Sequence, residues 1–324
     1  MKVLFARGRI SADLSWTGLR PLLPGWQLAT CEPAEVAGQL AGVDVVCPMN
    51  VPISRDIITA GSFGLIHQFG VGVETTDVEA ATELGVWVAR VPGDVGGNAD
   101  SVAELAILHL LALGRRLDEL RDALTGRRWT QRPAGRSLDG ATVAVIGLGA
   151  IGAAVARRLA PFGPRLIGVR ARPWIGGPEG LDEVTGPGQL HAVLAQADAV
   201  VCCAMLHEGS AGMFGPAQFA AMRPGALFVN VARGGLVDEH ALLAALEAGQ
   251  VGGAGLDVYA REPADPDLPL LRHPRVIATP HAGWLTTRMF ERTCAAFAAS
   301  VRSWADGGEP HWPVNAPAFC RSRR

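Results

Sequence analysis

Short apolar runs alternate with amphipathic stretches from the start of the chain. Val3–Ala6, Gln27–Thr30, Asp44–Cys47, Leu65–Phe69 and Val86–Ala89 predict strands, and Ala34–Leu40 and Asp77–Leu84 predict helices between them. This is the β/α alternation of a doubly wound parallel sheet. A long helix is predicted from about Ala99 to Arg116, with Glu104 on its first turns. The polar stretch Thr125–Gly140, with Arg127, Arg128 and Arg132, predicts a connecting arm. A second series follows, with strands at Val143–Ile146, Leu166–Val169, Ala199–Cys203, Leu227–Asn230, Gly253–Asp257 and Val276–Ala278. The last helix, about Thr286 to Trp304, has apolar positions at helical spacing and is expected to return to the first series. The pattern predicts an α/β fold of two doubly wound parallel-sheet domains, residues 1–98 with 287–324 and residues 99–286. A cleft between two such domains is a common ligand site.

The run Val143-Ala-Val-Ile-Gly-Leu-Gly-Ala-Ile-Gly152 is the most specific local signal. An apolar strand ends in G-x-G-x-x-G, and a helix-forming run follows at once. Gly147 permits the turn, Gly149 lets the backbone approach a pyrophosphate, and Gly152 allows close helix–strand packing. The helix start at Ala150 and Ile151 offers free N–H groups and the positive end of the helix dipole to that anion. With 40 glycines in 324 residues the motif alone is weak. The strand before it and the uninterrupted helix after it predict a dinucleotide site.

Composition narrows the classes. Apolar residues make up 49% and charged residues 19%, as in a protein with large buried parallel sheets. A net charge of -2 provides no basic field, so no nucleic-acid partner is expected. The six cysteines (Cys31, Cys47, Cys202, Cys203, Cys294, Cys320) show no C-x-x-C spacing, and no metal site is expected. The start reads as a first strand, not a signal peptide. No apolar segment is long enough to cross a membrane. A cytoplasmic location is expected.

Three charged groups fall at predicted strand ends in the second series. Arg233 stands in Val229-Asn-Val-Ala-Arg-Gly-Gly-Leu-Val-Asp238, Glu262 in Leu256-Asp-Val-Tyr-Ala-Arg-Glu-Pro263, and His281 in Ile277-Ala-Thr-Pro-His-Ala-Gly283. Taken singly, Arg233 and His281 read equally as solvated loop residues, and Glu262 reads more readily as a solvated charge. Taken together, they make a chemistry. The planar fork of an Arg suits a carboxylate bidentately. A carboxylate bonded to one imidazole nitrogen fixes the tautomer and favours the protonated ring. Such a ring gives a proton to a carbonyl oxygen as hydride arrives, and takes it back in reverse.

With these motifs in order, the chain resembles the D-isomer-specific 2-hydroxyacid dehydrogenases over almost its whole length. The likeness also rests on Val155-Ala-Arg-Arg-Leu-Ala-Pro-Phe-Gly163, Phe69-Gly-Val-Gly-Val73 and Ser101-Val-Ala-Glu104. The resemblance implies a flavodoxin-like substrate domain and a Rossmann dinucleotide-binding domain. It implies that Arg233 orients the substrate, that His281 is the acid/base, and that Glu262 is its partner. It implies that backbone N–H groups of Val71, Gly72 and Val73 hold the substrate carboxylate. Asp257 would meet the nicotinamide amide, with Val231, Ala232 and Gly283 completing the cofactor side. The long helix and the arm match the family's dimerisation region, so a homodimer is expected.

The sequence departs from the family pattern in several places. Near position 170 the family's usual NAD-selecting carboxylate is replaced by Gly168-Val-Arg-Ala-Arg-Pro173. An acidic residue accepts the ribose 2′-OH of NAD and repels a 2′-phosphate, whereas arginines do the reverse. At roughly 1.5–3 kcal/mol per charge-assisted contact, Arg170 and Arg172 could shift preference by well over tenfold. NADP is therefore the expected cofactor, with NAD possible, as in the NADPH-linked glyoxylate/hydroxypyruvate reductases. In Cys202-Cys-Ala-Met-Leu-His207, Met205 and His207 stand where a Pro and a Thr are usual. Gly96-Gly97-Asn98 looks like a small insertion. Trp284 reads either as pocket lining or as core packing, and Glu74 follows the carboxylate loop with no assigned role.

The expected reaction is hydride transfer between NADPH and a small 2-oxoacid such as glyoxylate or hydroxypyruvate. Alternatives are a phosphoglycerate dehydrogenase-like activity, phosphite oxidation, and a nucleotide-sensing corepressor-type binding protein. The formate branch pairs its His with Gln, so Glu262 argues against it.

Overall fold

The computed structural model describes residues 1–6, 17–129 and 135–321. The chain divides into two compact units, Met1–Asn98 with Leu285–Arg324, and Ala99–Trp284.

In the first unit, β1 (Lys2–Phe5), β2 (Gln27–Thr30), β3 (Val45–Cys47), β4 (Leu65–Gln68) and β5 (Trp87–Arg90) lie in the order β2-β1-β3-β4-β5. Every neighbouring pair is parallel. This is the flavodoxin-like order. Helices cover both faces, so successive residues enter different cores. Val3 and Phe5 of β1 join Phe69 and Phe297, while Leu4 and Ala6 join Ile53 and Ile58. That is why the strands read as continuous apolar runs and not as alternating ones.

The helix Thr287–Ala305 completes the first of these cores. The Thr286 hydroxyl caps it by accepting from the Met289 N–H. Its buried stripe carries Cys294, Phe297, Val301 and Trp304 onto the sheet. The stretch expected as a helix from Ala34 to Leu40 is instead a 3-10 run, Pro33–Gln39. Only Val36 is buried there, so no apolar stripe rewards a regular α-helix.

In the second unit the strands are β6 (Thr142–Ile146), β7 (Arg165–Val169), β8 (Glu183–Thr185), β9 (Ala199–Cys202), β10 (Ala226–Asn230), β11 (Val251–Leu256) and β12 (Val276–Ala278). Their order is β12-β11-β10-β9-β6-β7-β8, parallel throughout. The chain runs outward from β6 through β7 and β8, then returns to β9 on the other side of β6. Open sheets of this kind bind ligands at such a reversal. Ala144 and Ile146 of β6 face one core, and Val143 and Val145 face the other.

Two elements here were not foreseen. The short edge strand β8 has no apolar run to announce it. The helix Leu117–Thr125 follows a left-handed Arg116 and ends at the first residue of the stretch expected as an arm. Arg127 and Arg128 are exposed beyond it, and Arg132 lies outside the described residues. The expected long helix is present as Asn98–Gly114. Gly97, in the left-handed region at φ 75, ends the short helix Gly93–Gly96 before it. Among the described residues no helix is long and apolar enough to cross a membrane.

Candidate active site

The glycine turn joins β6 to the helix Ala150–Leu159. Gly147 has φ 97, and a Cβ there would lie 2.6 Å from the Ala204 Cα. A Cβ on Gly152 would lie 1.9 Å from the Gly147 carbonyl oxygen. Gly149 differs. A Cβ built on it meets nothing within 4 Å, so the backbone at the helix start borders open space. The turn is closed by the N–H of Gly147 donating to the Val169 carbonyl at 2.8 Å. Two glycines are demanded by the protein's own backbone, and the third leaves room for a ligand. That arrangement fits a pyrophosphate beside Ala150 and Ile151.

Arg233, Glu262 and His281 come from three consecutive strand ends. Arg233 follows β10, Glu262 follows β11, and His281 follows β12. The sheet order β12-β11-β10 places these ends side by side. His281 Nδ1 and Glu262 Oε2 are 2.6 Å apart. With Glu262 ionised, Nδ1–H donates, which leaves Nε2 for chemistry. Both side chains are partly buried, with relative exposures of 26% and 34%. His281 adopts φ 52. It is held there by its N–H, which donates to the Asp257 carbonyl at 2.8 Å.

Burial pushes the Glu262 carboxyl up. The hydrogen bond and charge of His281, the Tyr259 N–H and the Arg233 charge outweigh it and hold the group below its ordinary value. Arg233 therefore belongs to the same electrostatic site. Its Nη1 donates to the Ala232 carbonyl at 2.8 Å, and the residue is half-buried.

Asp257 is 2% exposed. Its Oδ1 accepts from Thr279 Oγ1 at 2.6 Å and from the Ala282 N–H at 2.8 Å, and its Oδ2 accepts from the Gly283 N–H at 2.9 Å. The carboxylate thus braces the loop that carries His281. Val231 and Ala232 are buried beside it in sequence order on β10's exit. Gly283 is buried, and a Cβ there would stand 2.9 Å from Asp257 Oδ2.

Two positioning residues escaped the sequence reading. Asn230, 1% exposed, donates through Nδ2 to the Arg233 carbonyl at 3.0 Å and accepts at Oδ1 from the Ala232 N–H at 3.1 Å. Its place in the Arg233 motif was the available signal. Tyr259, the only tyrosine in the chain, donates its hydroxyl to the Thr279 carbonyl at 3.0 Å, and its N–H donates to Glu262 Oε1 at 3.1 Å. Burial, with the nearby Asp257, Glu262 and Glu239 charges, pushes its phenol up to about 12.

On the other side of β6, Arg170 is half-buried and Arg172 exposed. Arg170 Nη1 donates to the Gly176 carbonyl at 2.7 Å. The Cys202–His207 departure runs directly against the glycine turn. Cys202 is buried, which pushes its thiol up to about 12. His207 caps the short turn Glu208–Ser210, its Nδ1 accepting from the Gly209 N–H at 3.1 Å. Trp284 is half-buried and joins none of the apolar clusters of the described residues. In the first unit, Val71, Gly72 and Val73 follow β4, and Arg90 Nη1 donates to the Val71 carbonyl at 3.2 Å. Among the described residues no group takes a hydrogen bond from their three N–H groups. Glu74 is exposed.

Comparison with known proteins is consistent across sequence and structure. Residues 107–283, more than half of the chain, match the model of the D-isomer specific 2-hydroxyacid dehydrogenase NAD binding domain. D-3-phosphoglycerate dehydrogenase of Archaeoglobus fulgidus is 32% identical over 277 residues, which are 85% of this chain and 52% of that protein. The Methanocaldococcus jannaschii enzyme of the same name is 35% identical over 289 residues, 87% of this chain and 54% of its own length. The chain thus spans about half the length of these curated relatives. Among solved structures, the glyoxylate reductase of Paecilomyes thermophila has a TM-score of 0.78 at 28% identity, covering 97% of this chain and 98% of its own. The TT0316 protein of Thermus thermophilus has a TM-score of 0.84 at 29% identity, covering 97% of this chain and all of that one.

Proposed function

The chain belongs to the D-isomer-specific 2-hydroxyacid dehydrogenase family, and on that premise we propose that it reduces a small 2-oxoacid, glyoxylate or hydroxypyruvate, with NADPH. The observation that carries this reading is the 2.6 Å contact between Glu262 and His281 within the field of Arg233. When bound, the nicotinamide supplies the hydride for C2. The glycine turn and the start of the helix Ala150–Leu159 hold its pyrophosphate, with Val231, Ala232, Asp257 and Gly283 toward the nicotinamide end. Arg233 neutralises the substrate carboxylate and polarises the carbonyl. His281, with Nδ1–H given to Glu262, delivers a proton from Nε2 to the carbonyl oxygen, and accepts it in reverse. The N–H groups of Val71, Gly72 and Val73 are a carboxylate-binding set in the first unit.

NADP is favoured over NAD by Arg170 and Arg172 after β7, with no carboxylate between them. The exposed Leu108, Leu117 and Leu124 on two successive helices support a homodimer. All six cysteines are free thiols, in keeping with a cytoplasmic setting.

A second reading, oxidation of a phosphorylated 2-hydroxyacid, is favoured by the names of the 32–35% identical relatives. Initial rates of NADPH and NADH oxidation against glyoxylate, hydroxypyruvate, pyruvate, phenylpyruvate and phosphohydroxypyruvate decide between them. Preference for an unphosphorylated acid with NADPH upholds the first reading. Preference for phosphohydroxypyruvate moves the assignment to the second. Turnover with none, despite nucleotide binding, rejects both.

A further inference from the structure

We propose that the indole of Trp174 is the platform on which the adenine of the bound nucleotide stacks. This rests on nucleotide binding at the glycine turn and not on the choice between NADP and NAD.

The path from the turn to Trp174 is short and pinned. The Val169 carbonyl, the last of β7, accepts from the Gly147 N–H, so the chain leaving β7 starts at the phosphate turn itself. The next residue, Arg170, donates its N–H to the Thr185 carbonyl at 3.0 Å, and its Nη1 reaches the Gly176 carbonyl at 2.7 Å. Between these anchors lies one 3-10 turn, Pro173–Ile175, closed by the Gly176 N–H on the Pro173 carbonyl at 3.0 Å. A Cβ built on Gly186 would lie 3.5 Å from Pro173 Cγ, so the two turns run close together. The backbone that bears Trp174 is therefore fixed at both ends.

Its side chain is not used by the fold. Trp174 is 76% exposed and its neighbour Ile175 is 53% exposed. Trp174 joins none of the apolar clusters of the described residues. A bare indole on a braced turn, with two guanidinium groups just before it, takes a flat heteroaromatic ring that carries a nearby anion. The ring offers stacking that is indifferent to base identity, and the arginines offer charge. An adenosine phosphate held at the adjoining glycine turn has this chemistry.

The test is equilibrium binding of 5′-AMP and 2′,5′-ADP to the full chain and to its Trp174→Ala and Trp174→Phe variants, by calorimetry. Trp174→Ala is expected to weaken both nucleotides equally, by about tenfold, and Trp174→Phe to keep most of the affinity. Quenching of indole fluorescence by 5′-AMP should be diminished in both variants. Unchanged affinity of Trp174→Ala for both nucleotides overturns the proposal. So does a variant that alters only the oligomeric mass, because the indole is then a protein contact. The NADP reading fails separately: wild type would bind 2′,5′-ADP no better than 5′-AMP, while the loss in Trp174→Ala would remain. Binding of neither nucleotide to the wild type overturns both.

Discussion

A Cβ placed on Gly234 would stand 1.8 Å from the carbonyl carbon of Tyr259. The turn after Arg233 and the turn before Glu262 therefore lie backbone against backbone. No side chain fits between them, and the Arg233–Glu262 spacing is set by this contact. Gly234→Ala is expected to cost about 1–3 kcal/mol of stability through overpacking. It should also lower oxoacid reduction by about a hundredfold, because the groups proposed for catalysis would separate. Thermal unfolding and steady-state rates measure the two effects. Intact activity would show that the contact does not set the site.

His281→Ala should lower kcat by roughly 10²–10⁴-fold, the usual range for a positioned acid. Dissociation constants for NADPH should hardly change, since the glycine turn is elsewhere on the sheet. Equal losses in turnover and in nucleotide affinity would count against the acid role.

The ionisation of Glu262 couples stability to pH. Its folded value lies below the unfolded one, so its contribution to stability is present at neutral pH and is lost as pH falls through the folded value. The difference in Tm between wild type and Glu262→Gln should therefore shrink as pH is lowered through the acid range. The same substitution should lower the reductive rate, because an amide replaces the anion that faces His281 Nδ1 at 2.6 Å. A reductive rate that is identical in the two proteins would remove Glu262 from the mechanism.

Much of this was legible in the chain because parallel strands buried on both faces leave uninterrupted apolar runs. Val143–Ile146 and Ala199–Cys202 are plain for that reason. The backbone of the glycine turn was legible: Gly147 and Gly152 stand where a Cβ would strike neighbouring backbone, and Gly149 borders open space. The edge strand β8 was hidden, since Glu183–Thr185 is polar and owes its form to pairing with β7. The helix Leu117–Thr125 was hidden too. It starts after a left-handed Arg116, and between the expected long helix and the expected arm its charge-rich run Asp118–Asp122 offers no apolar stretch to announce it. Within the site, the charged groups declared themselves by chemistry. Asn230 and Tyr259 did not, because their work is hydrogen bonding to backbone: Asn230 braces its own turn, and Tyr259 reaches Thr279, which only the fold brings near.

Asn230→Ala tests that work. Removing the side chain strips the Ala232 N–H and the Arg233 carbonyl of a buried partner, at a cost of about 1–3 kcal/mol. The KM for the oxoacid should rise through a misplaced Arg233, while nucleotide affinity stays near wild type. A change confined to Tm would reduce Asn230 to a structural residue.

The helix Thr287–Ala305 gives the two units different histories during synthesis. The second unit is one continuous stretch, and its cores are complete once Trp284 has left the ribosome. The first unit's sheet precedes it. Yet the space under Phe5 and Phe69 waits for Phe297 and Trp304, which emerge only after the whole second unit. The unit whose sheet precedes the second unit in the chain is thus sealed only after it. A chain halted at Trp284 would carry a finished nucleotide-type sheet beside an unsealed one.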